Sequence, residues 1–238
     1  MTAIAPTTPL FAETAALEAV EVDIYRDVHK GIRRELFAVT VEAGRVDPHD
    51  DEAVGAVAVR WGSLVRLLVE HARHEEDFVQ PVIEQFAPLY AAEILESHAR
   101  LEAQMAELEL LADRAGEACA AQRRLFTHRV YLGLASFTAA YLQHQEFEEF
   151  EVMVMLSQHV SAEDLRTLDD AIVASIPPEM MAQSLSIMAP AMNIEDQSEL
   201  FGAVQASAPP EVFAGIMGLA GSVLEPVRFD ALTRRLGA

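Results

Sequence analysis

Apolar residues that recur at three- and four-residue steps dominate the first two-thirds of the 238-residue chain. This spacing places them on one face of an α-helix, and no segment shows the strict alternation that is typical of a β-strand. Four such stripes follow one another: Tyr25, Val28, Ile32, Leu36 and Val39; Val57, Trp61, Leu64 and Leu68; Ile94, Leu101, Met105 and Leu108; and Val130, Leu134, Phe137 and Tyr141. The pattern predicts an all-α protein with an up-down-up-down four-helix bundle, because short connections join antiparallel neighbours.

The expected ends of the four helices come from cap-forming residues, glycines and prolines. We expect the first helix to run from about residue 14 to residue 44. The second helix should stop near Pro81, and the third should begin around Pro88 and break at Gly116. The fourth is expected to continue past Phe150.

The last third of the chain repeats a unit with a period of 32 residues. Ser161-Ala-Glu-Asp-Leu-Arg-Thr-Leu is followed at this offset by Asn193-Ile-Glu-Asp-Gln-Ser-Glu-Leu, and a degraded third copy begins at Glu225. Each full unit starts with a capping residue and an acidic first turn, and its next helix begins after the pair Pro177-Pro178 or Pro209-Pro210. A fixed period in this range is typical of stacked helical hairpins.

These patterns divide the chain into three parts. Residues 1–12 are expected to be a flexible tail, residues 13–158 to form the bundle, and residues 159–238 to form C-terminal helical hairpin repeats. Two roles are open for the repeats. They are either a cap that buries apolar surface of the bundle, or a surface for a protein partner or for self-association.

The charge and the cysteine content exclude several classes of protein. A formal net charge of −21 opposes binding to nucleic acid or to anionic lipid. Cys119 is the only cysteine, which excludes an internal disulfide and a cysteine-based metal site and suits the cytoplasm. The first ten residues do not resemble a signal peptide, and no apolar run is long enough to span a membrane. We therefore expect a cytoplasmic protein.

Four of the eight histidines continue the apolar stripes, one in each bundle helix: His29, His71, His98 and His144. A glutamate follows two of them four residues later, and this spacing places both side chains on one helix face, about one turn apart. These glutamates are Glu75 and Glu148. Imidazoles and carboxylates in a bundle core are costly unless they are compensated, and binding a shared metal would compensate them. The other histidines are expected near the surface, with His74 the best placed to support a ligand.

The types of ligand narrow the choice of metal. Without cysteine clusters, zinc–thiolate and iron–sulfur sites are excluded. Mixed imidazole and carboxylate ligands suit iron or manganese. The ferritin-like di-iron fold needs a glutamate three residues before a histidine, and no histidine of this chain has one.

In this arrangement the chain resembles the haemerythrin-like (HHE) cation-binding family. The resemblance covers roughly residues 14–157 and is carried by His29, His71-Ala-Arg-His-Glu75-Glu, Glu-Ser-His98-Ala-Arg-Leu and His144-Gln-Glu-Phe-Glu148-Glu. It implies two non-haem iron ions with an oxo or hydroxo bridge, and one bridging carboxylate from each His-x-x-x-Glu segment. Oxygen-carrying haemerythrins have a second histidine four residues after the third-helix histidine. Here that position is Glu102, which becomes a further candidate ligand.

Three functions are compatible with such a site. The first is a di-iron protein that binds dioxygen or hydrogen peroxide and reacts with it, with catalase- or peroxidase-like turnover. The second is a sensor of oxygen, redox state or iron that signals through the C-terminal helices, and the third is an interaction protein that its metal only stabilises. Compared with the oxygen-carrying haemerythrins, a site with fewer imidazoles and more carboxylates stabilises ferric iron and leaves exchangeable positions on the metal. This favours the first of the three functions.

Overall fold

The computed structural model describes residues 20–237, and their regular structure is entirely helical. The predicted all-α fold is therefore confirmed. The first six helices are α1 (Arg26–Arg45), α2 (Asp51–His74), α3 (Gln80–Phe86), α4 (Pro88–Glu117), α5 (Ala120–Phe147) and α6 (Met153–His159). Helices α1, α2, α4 and α5 form the bundle, in which α1 packs against α2 and α5, and α4 packs against the same two helices. Their apolar stripes meet in one core around Trp61 and Phe137.

Helix α1 begins later than the sequence pattern predicts. The Asp23 carboxylate accepts hydrogen bonds from the backbone N–H groups of Tyr25 and Arg26, each at 3.0 Å, and so caps the helix at this point. Residues 20–25 are not helical, so the expected helix is wrong over this stretch. Residues 14–19 and the expected tail, residues 1–12, lie outside the described residues.

Two π-helical turns join pairs of helices into longer rods. Glu75–Val79 connects α2 to α3, and Glu148–Val152 connects α5 to α6. At the end of the first turn, the N–H of Gln80 donates to the carbonyl of Glu75, five residues earlier. The predicted stop near Pro81 is therefore wrong. Pro81 lies in the first turn after the π-helical segment, where the N–H that proline lacks is not needed.

The C-terminal repeat forms five further helices. They are α7 (Ala162–Ser175), α8 (Pro178–Ala191), α9 (Ile194–Ser207), α10 (Pro210–Val223) and α11 (Pro226–Leu236), so α7, α9 and α11 start at successive offsets of 32 residues. Ser161 Oγ accepts from the N–H of Asp164, and Asn193 Oδ1 accepts from the N–H groups of Glu195 and Asp196. Helices α8 and α10 begin at the second proline of each pair, one residue earlier than the repeat pattern predicts.

The C-terminal helices pack along the bundle. Helix α8 lies against α1, where Met180 and Ile187 extend the bundle core. Helix α7 packs against the π-helical turn Glu75–Val79, and Leu165 joins the apolar cluster at that end of the bundle. Beyond α1, α10 stacks on α8, and α11 stacks on α9. Among the described residues, no helix is both long enough and apolar enough to cross a membrane.

Gly31 marks the closest approach of α8 to α1. A Cβ atom at this position would lie 3.1 Å from Met188 Cγ and 3.2 Å from Met188 Cα. Because one of these atoms is backbone, a larger side chain must push the helices apart. We expect Gly31→Val to lower the free energy of unfolding by roughly 1–3 kcal/mol in urea titrations. The matched control is Gly55→Val, where the added Cβ meets no atom within 4 Å and the change should stay within about 0.5 kcal/mol. Equal losses would show that the approach at Gly31 does not limit packing.

Candidate metal centre

Each bundle helix directs one imidazole to the same level of the core. His29 comes from α1, His71 from α2, His98 from α4 and His144 from α5. Glu75 and Glu148 are the first residues of the two π-helical turns and face the same space. Of these six side chains, His71 is partly exposed and the other five are buried, with His29 and Glu148 fully inaccessible to solvent.

Each carboxylate lies between two imidazoles. Glu75 Oε1 is 3.1 Å from His71 Nε2, and its Oε2 is 3.3 Å from His98 Nε2. Glu148 repeats this arrangement, with Oε1 at 3.1 Å from His144 Nε2 and Oε2 at 3.4 Å from His29 Nε2. The contacts of the six side chains therefore repeat in an approximate twofold pattern.

The centre leaves several buried polar atoms without a hydrogen bond. All four oxygen atoms of Glu75 and Glu148 are buried with no partner at hydrogen-bonding geometry, and His98 Nε2 is also unpartnered. Buried polar atoms in this condition are costly, and a cation would satisfy them. Two groups have ligand atoms within 4.8 Å of one another: His29, His71 and Glu75; and Glu75, His98, His144 and Glu148. Glu75 belongs to both groups, so the residues fit a pair of metal ions that share a carboxylate.

Comparison with known families agrees with this geometry. The family model described as the hemerythrin HHE cation binding domain matches residues 20–156, which is more than half of the chain. The chain belongs to the haemerythrin family. No curated protein and no solved structure gives a significant match. The matched range ends in α6, before the C-terminal helices α7 to α11.

The protonation of the haemerythrin site follows from burial and from the carboxylates. Burial lowers the pKa of His71 to about 4, so this imidazole is neutral at pH 7 and can bind a metal. Burial also lowers the pKa of His98. The contacts of His98 with Glu75 and the charge of Glu148 outweigh this effect of burial and raise the pKa of His98 to about 9. Burial favours the neutral form of Glu148, yet His144 and the other histidines lower its pKa. At neutral pH a metal would therefore displace a proton from His98.

Two buried tyrosines lie beside histidines of the haemerythrin site, Tyr25 directly before α1 and Tyr141 in α5. The rings of Tyr25 and His29 lie 5.1 Å apart between centroids, and those of Tyr141 and His144 lie 5.7 Å apart. Burial and the nearby carboxylates raise the pKa of both phenols well above its usual value. Both tyrosines therefore stay protonated and add no negative charge to the centre.

Two glutamates that the helical pattern did not single out lie behind histidines of the haemerythrin site. Glu149 Oε1 lies 2.9 Å from His29 Nδ1, and Glu76 Oε1 lies 3.0 Å from His98 Nδ1. The signal was present in the sequence, because each His-x-x-x-Glu segment is followed directly by a second glutamate. Periodicity alone hid it, since a position next to an inward residue usually points to the side of a helix.

The structure does not bring Glu102 into the haemerythrin site. Its side chain is exposed, because Leu101 and Met105 take the core-facing positions after His98 on α4. Of the remaining histidines, His74 is buried rather than superficial, with its Nε2 3.2 Å from an Arg73 nitrogen, and it belongs to neither ligand group. The other three are exposed as expected: His49, His128 and His159.

Proposed function

We propose that this haemerythrin-like protein holds two iron ions, and that its centre binds dioxygen or hydrogen peroxide and reacts with it. The observation that carries the proposal is the position of Glu75, which is shared by two groups of buried ligand atoms. Mixed imidazole and carboxylate ligands suit iron. Side chains of this chemistry, buried without other partners, have few structural alternatives to metal binding.

The number of imidazoles bears on whether the centre turns over its substrate or carries oxygen reversibly. Four histidines converge on the centre, and the core-facing positions after His98 on α4 are occupied by Leu101 and Met105. A centre with two carboxylates and four imidazoles favours ferric iron and keeps exchangeable positions, which supports turnover over reversible oxygen carriage. We therefore propose catalase- or peroxidase-like activity.

The protein would contribute orientation, exclusion of water and control of protons. An iron pair, when bound, would supply the electrons that dioxygen or peroxide chemistry requires. Glu75, Glu148 and the four imidazoles are the residues that would hold the metals. Tyr25 and Tyr141 hold their protons and shield the centre from bulk water.

A second candidate function has its own supporting observation. Three consecutive residues of α1 touch three different parts of the molecule: His29 faces the centre, Lys30 forms an ion pair with Asp196 of α9, and Gly31 contacts Met188 of α8. A change at the metal would therefore act directly on the C-terminal helices. These three contacts support a sensor function, in which the metal site signals through the C-terminal helices. They are also compatible with C-terminal helices that only cap the bundle.

The test of the proposed function is metal analysis of the full-length protein from iron-replete growth. We expect about two iron ions per chain, because two ligand groups share Glu75. The ferrous protein should then oxidise on exposure to air. Zinc alone, or iron well below one ion per chain, would contradict the proposal. Two stable irons with no reaction toward oxygen or peroxide would instead favour a metal that stabilises the fold.

A further inference from the structure

The two glutamates that surround the ligands have the same position in the approximate twofold arrangement of the centre. Glu76 follows the ligand Glu75 on the α2–α3 rod but contacts His98 of α4. Glu149 follows Glu148 on the α5–α6 rod but contacts His29 of α1. Each rod therefore provides one carboxylate to the metal space and a second to the back of an imidazole on a neighbouring helix.

A single arginine breaks this symmetry. Arg33, one turn after His29, donates from both terminal nitrogens to Glu149, at 2.8 and 2.7 Å. Glu76 is more exposed, at 41 % against 19 % for the side chain of Glu149, and its only ion pair within residues 20–237 is with His98.

Resting on the two-metal centre proposed above, we propose that Glu76 and Glu149 are positioning residues for the metal ligands, and that Arg33 makes the two halves of the centre unequal. A carboxylate that accepts from Nδ1–H fixes the tautomer in which Nε2 is free to bind a metal, and it increases the basicity of the ring. His98 receives this effect from an unneutralised carboxylate. His29 receives it from Glu149, whose charge Arg33 already shares. The position of His29 is therefore more rigid, and its Nε2 is a weaker electron donor to a metal.

The half of the centre around His98 and the half around His29 should therefore respond differently when the charge of Glu76 or Glu149 is removed. In Glu76→Gln the imidazole keeps a neutral hydrogen-bond acceptor, and no cation is left behind. In Glu149→Gln the guanidinium of Arg33 loses its bidentate partner and stays close to His29 as an uncompensated positive charge. That charge repels a metal dication. Removing it in the double variant Arg33→Gln/Glu149→Gln should therefore restore part of the binding.

The experiment uses the metal-free full-length protein and cobalt(II) as the probe, because its d–d absorption bands report the ligand field. Affinity is measured by competition with a chelator, and unfolding is followed in parallel. We expect Glu76→Gln to weaken binding about 10–100-fold and to shift the bands, as loss of such outer partners typically does. Glu149→Gln should bind more weakly still, and the double variant should recover at least about threefold. The control Glu146→Gln, on the exposed face of α5, should bind like wild type.

The outcomes separate the two proposals. Wild-type protein that binds no cobalt would contradict the metal centre itself. Normal binding by wild type with both outer variants equal to Glu146→Gln would overturn the positioning role. Equal losses in Glu76→Gln and Glu149→Gln without recovery in the double variant would overturn the role of Arg33. A loss of affinity with unshifted bands and a lower unfolding temperature would indicate a structural role only, and would also overturn the positioning role.

Discussion

Replacing Glu148 by alanine is expected to remove at least one metal ion per chain. The Glu148 side chain is fully buried, and its two oxygens lie between His144 and His29. Its loss would take two ligand atoms from the centre and leave imidazoles with no carboxylate on that side. Because even outer partners of metal ligands contribute roughly 10–100-fold to affinity, loss of this residue should cost more than about 100-fold. The measurement is metal titration of the refolded variant with elemental analysis.

The control for this prediction is Glu102→Ala on α4. Glu102 is exposed and lies outside both ligand groups, so its removal should leave metal content unchanged. Circular dichroism of the metal-free variants would show whether each chain is folded. Equal losses from the two variants, or a larger loss from Glu102→Ala, would show that the ligand assignment is incorrect.

The iron-loaded protein is expected to decompose hydrogen peroxide catalytically, and His144→Ala should slow this at least about tenfold at matched iron content. His144 is almost completely buried, and its Nε2 faces Glu148. Its removal takes one of two imidazoles from the group that also contains His98, and it opens the site to water. Oxygen evolution from peroxide measures the rate.

The matched control is His128→Ala, which removes an exposed imidazole from the same helix. It should leave the rate unchanged, because His128 belongs to neither ligand group. If the ferrous protein binds oxygen reversibly and shows no peroxide turnover, the proposed enzymatic activity is ruled out. A role as an oxygen carrier or sensor would then be favoured. Equal rates in wild type and both variants would assign the turnover to iron released from the protein.

Helical periodicity predicted the parts of the centre that depend on which helix face a residue occupies. His29, His71, His98 and His144 each continue an apolar stripe, and stripes in a bundle must face the core. The 32-residue repeat, with its capping residues and proline pairs, predicted the helix starts of the C-terminal region.

Periodicity failed where one residue alters the local hydrogen bonding. Asp23 starts α1 with its side chain, which a stripe beginning near residue 14 cannot indicate. Pro81 suggested a helix end, but the preceding π-helical turn makes its missing N–H harmless. Glu102 became a candidate through the family resemblance and not through periodicity, since Leu101 and Met105 of the predicted stripe face the core and Glu102 is exposed. The Asp23 hydrogen bonds and the π-helical turn are local features that a pattern of apolar residues does not encode.

The two π-helical turns give the bundle rods a change of phase at Glu75 and Glu148. One extra residue in an α-helix turns everything beyond it by about 100°. Upstream of Glu75 the α2–α3 rod directs Leu68 and His71 into the bundle, and downstream it directs Ile83 into the separate apolar cluster that contains Leu165 of α7. The rod thus contributes to both apolar clusters, one before and one after the π-helical turn along the sequence. A continuous helical wheel drawn through His71 and Ile83 misaligns one of these two residues, so any alignment or redesign of such chains must restart the count after the turn Glu75–Val79.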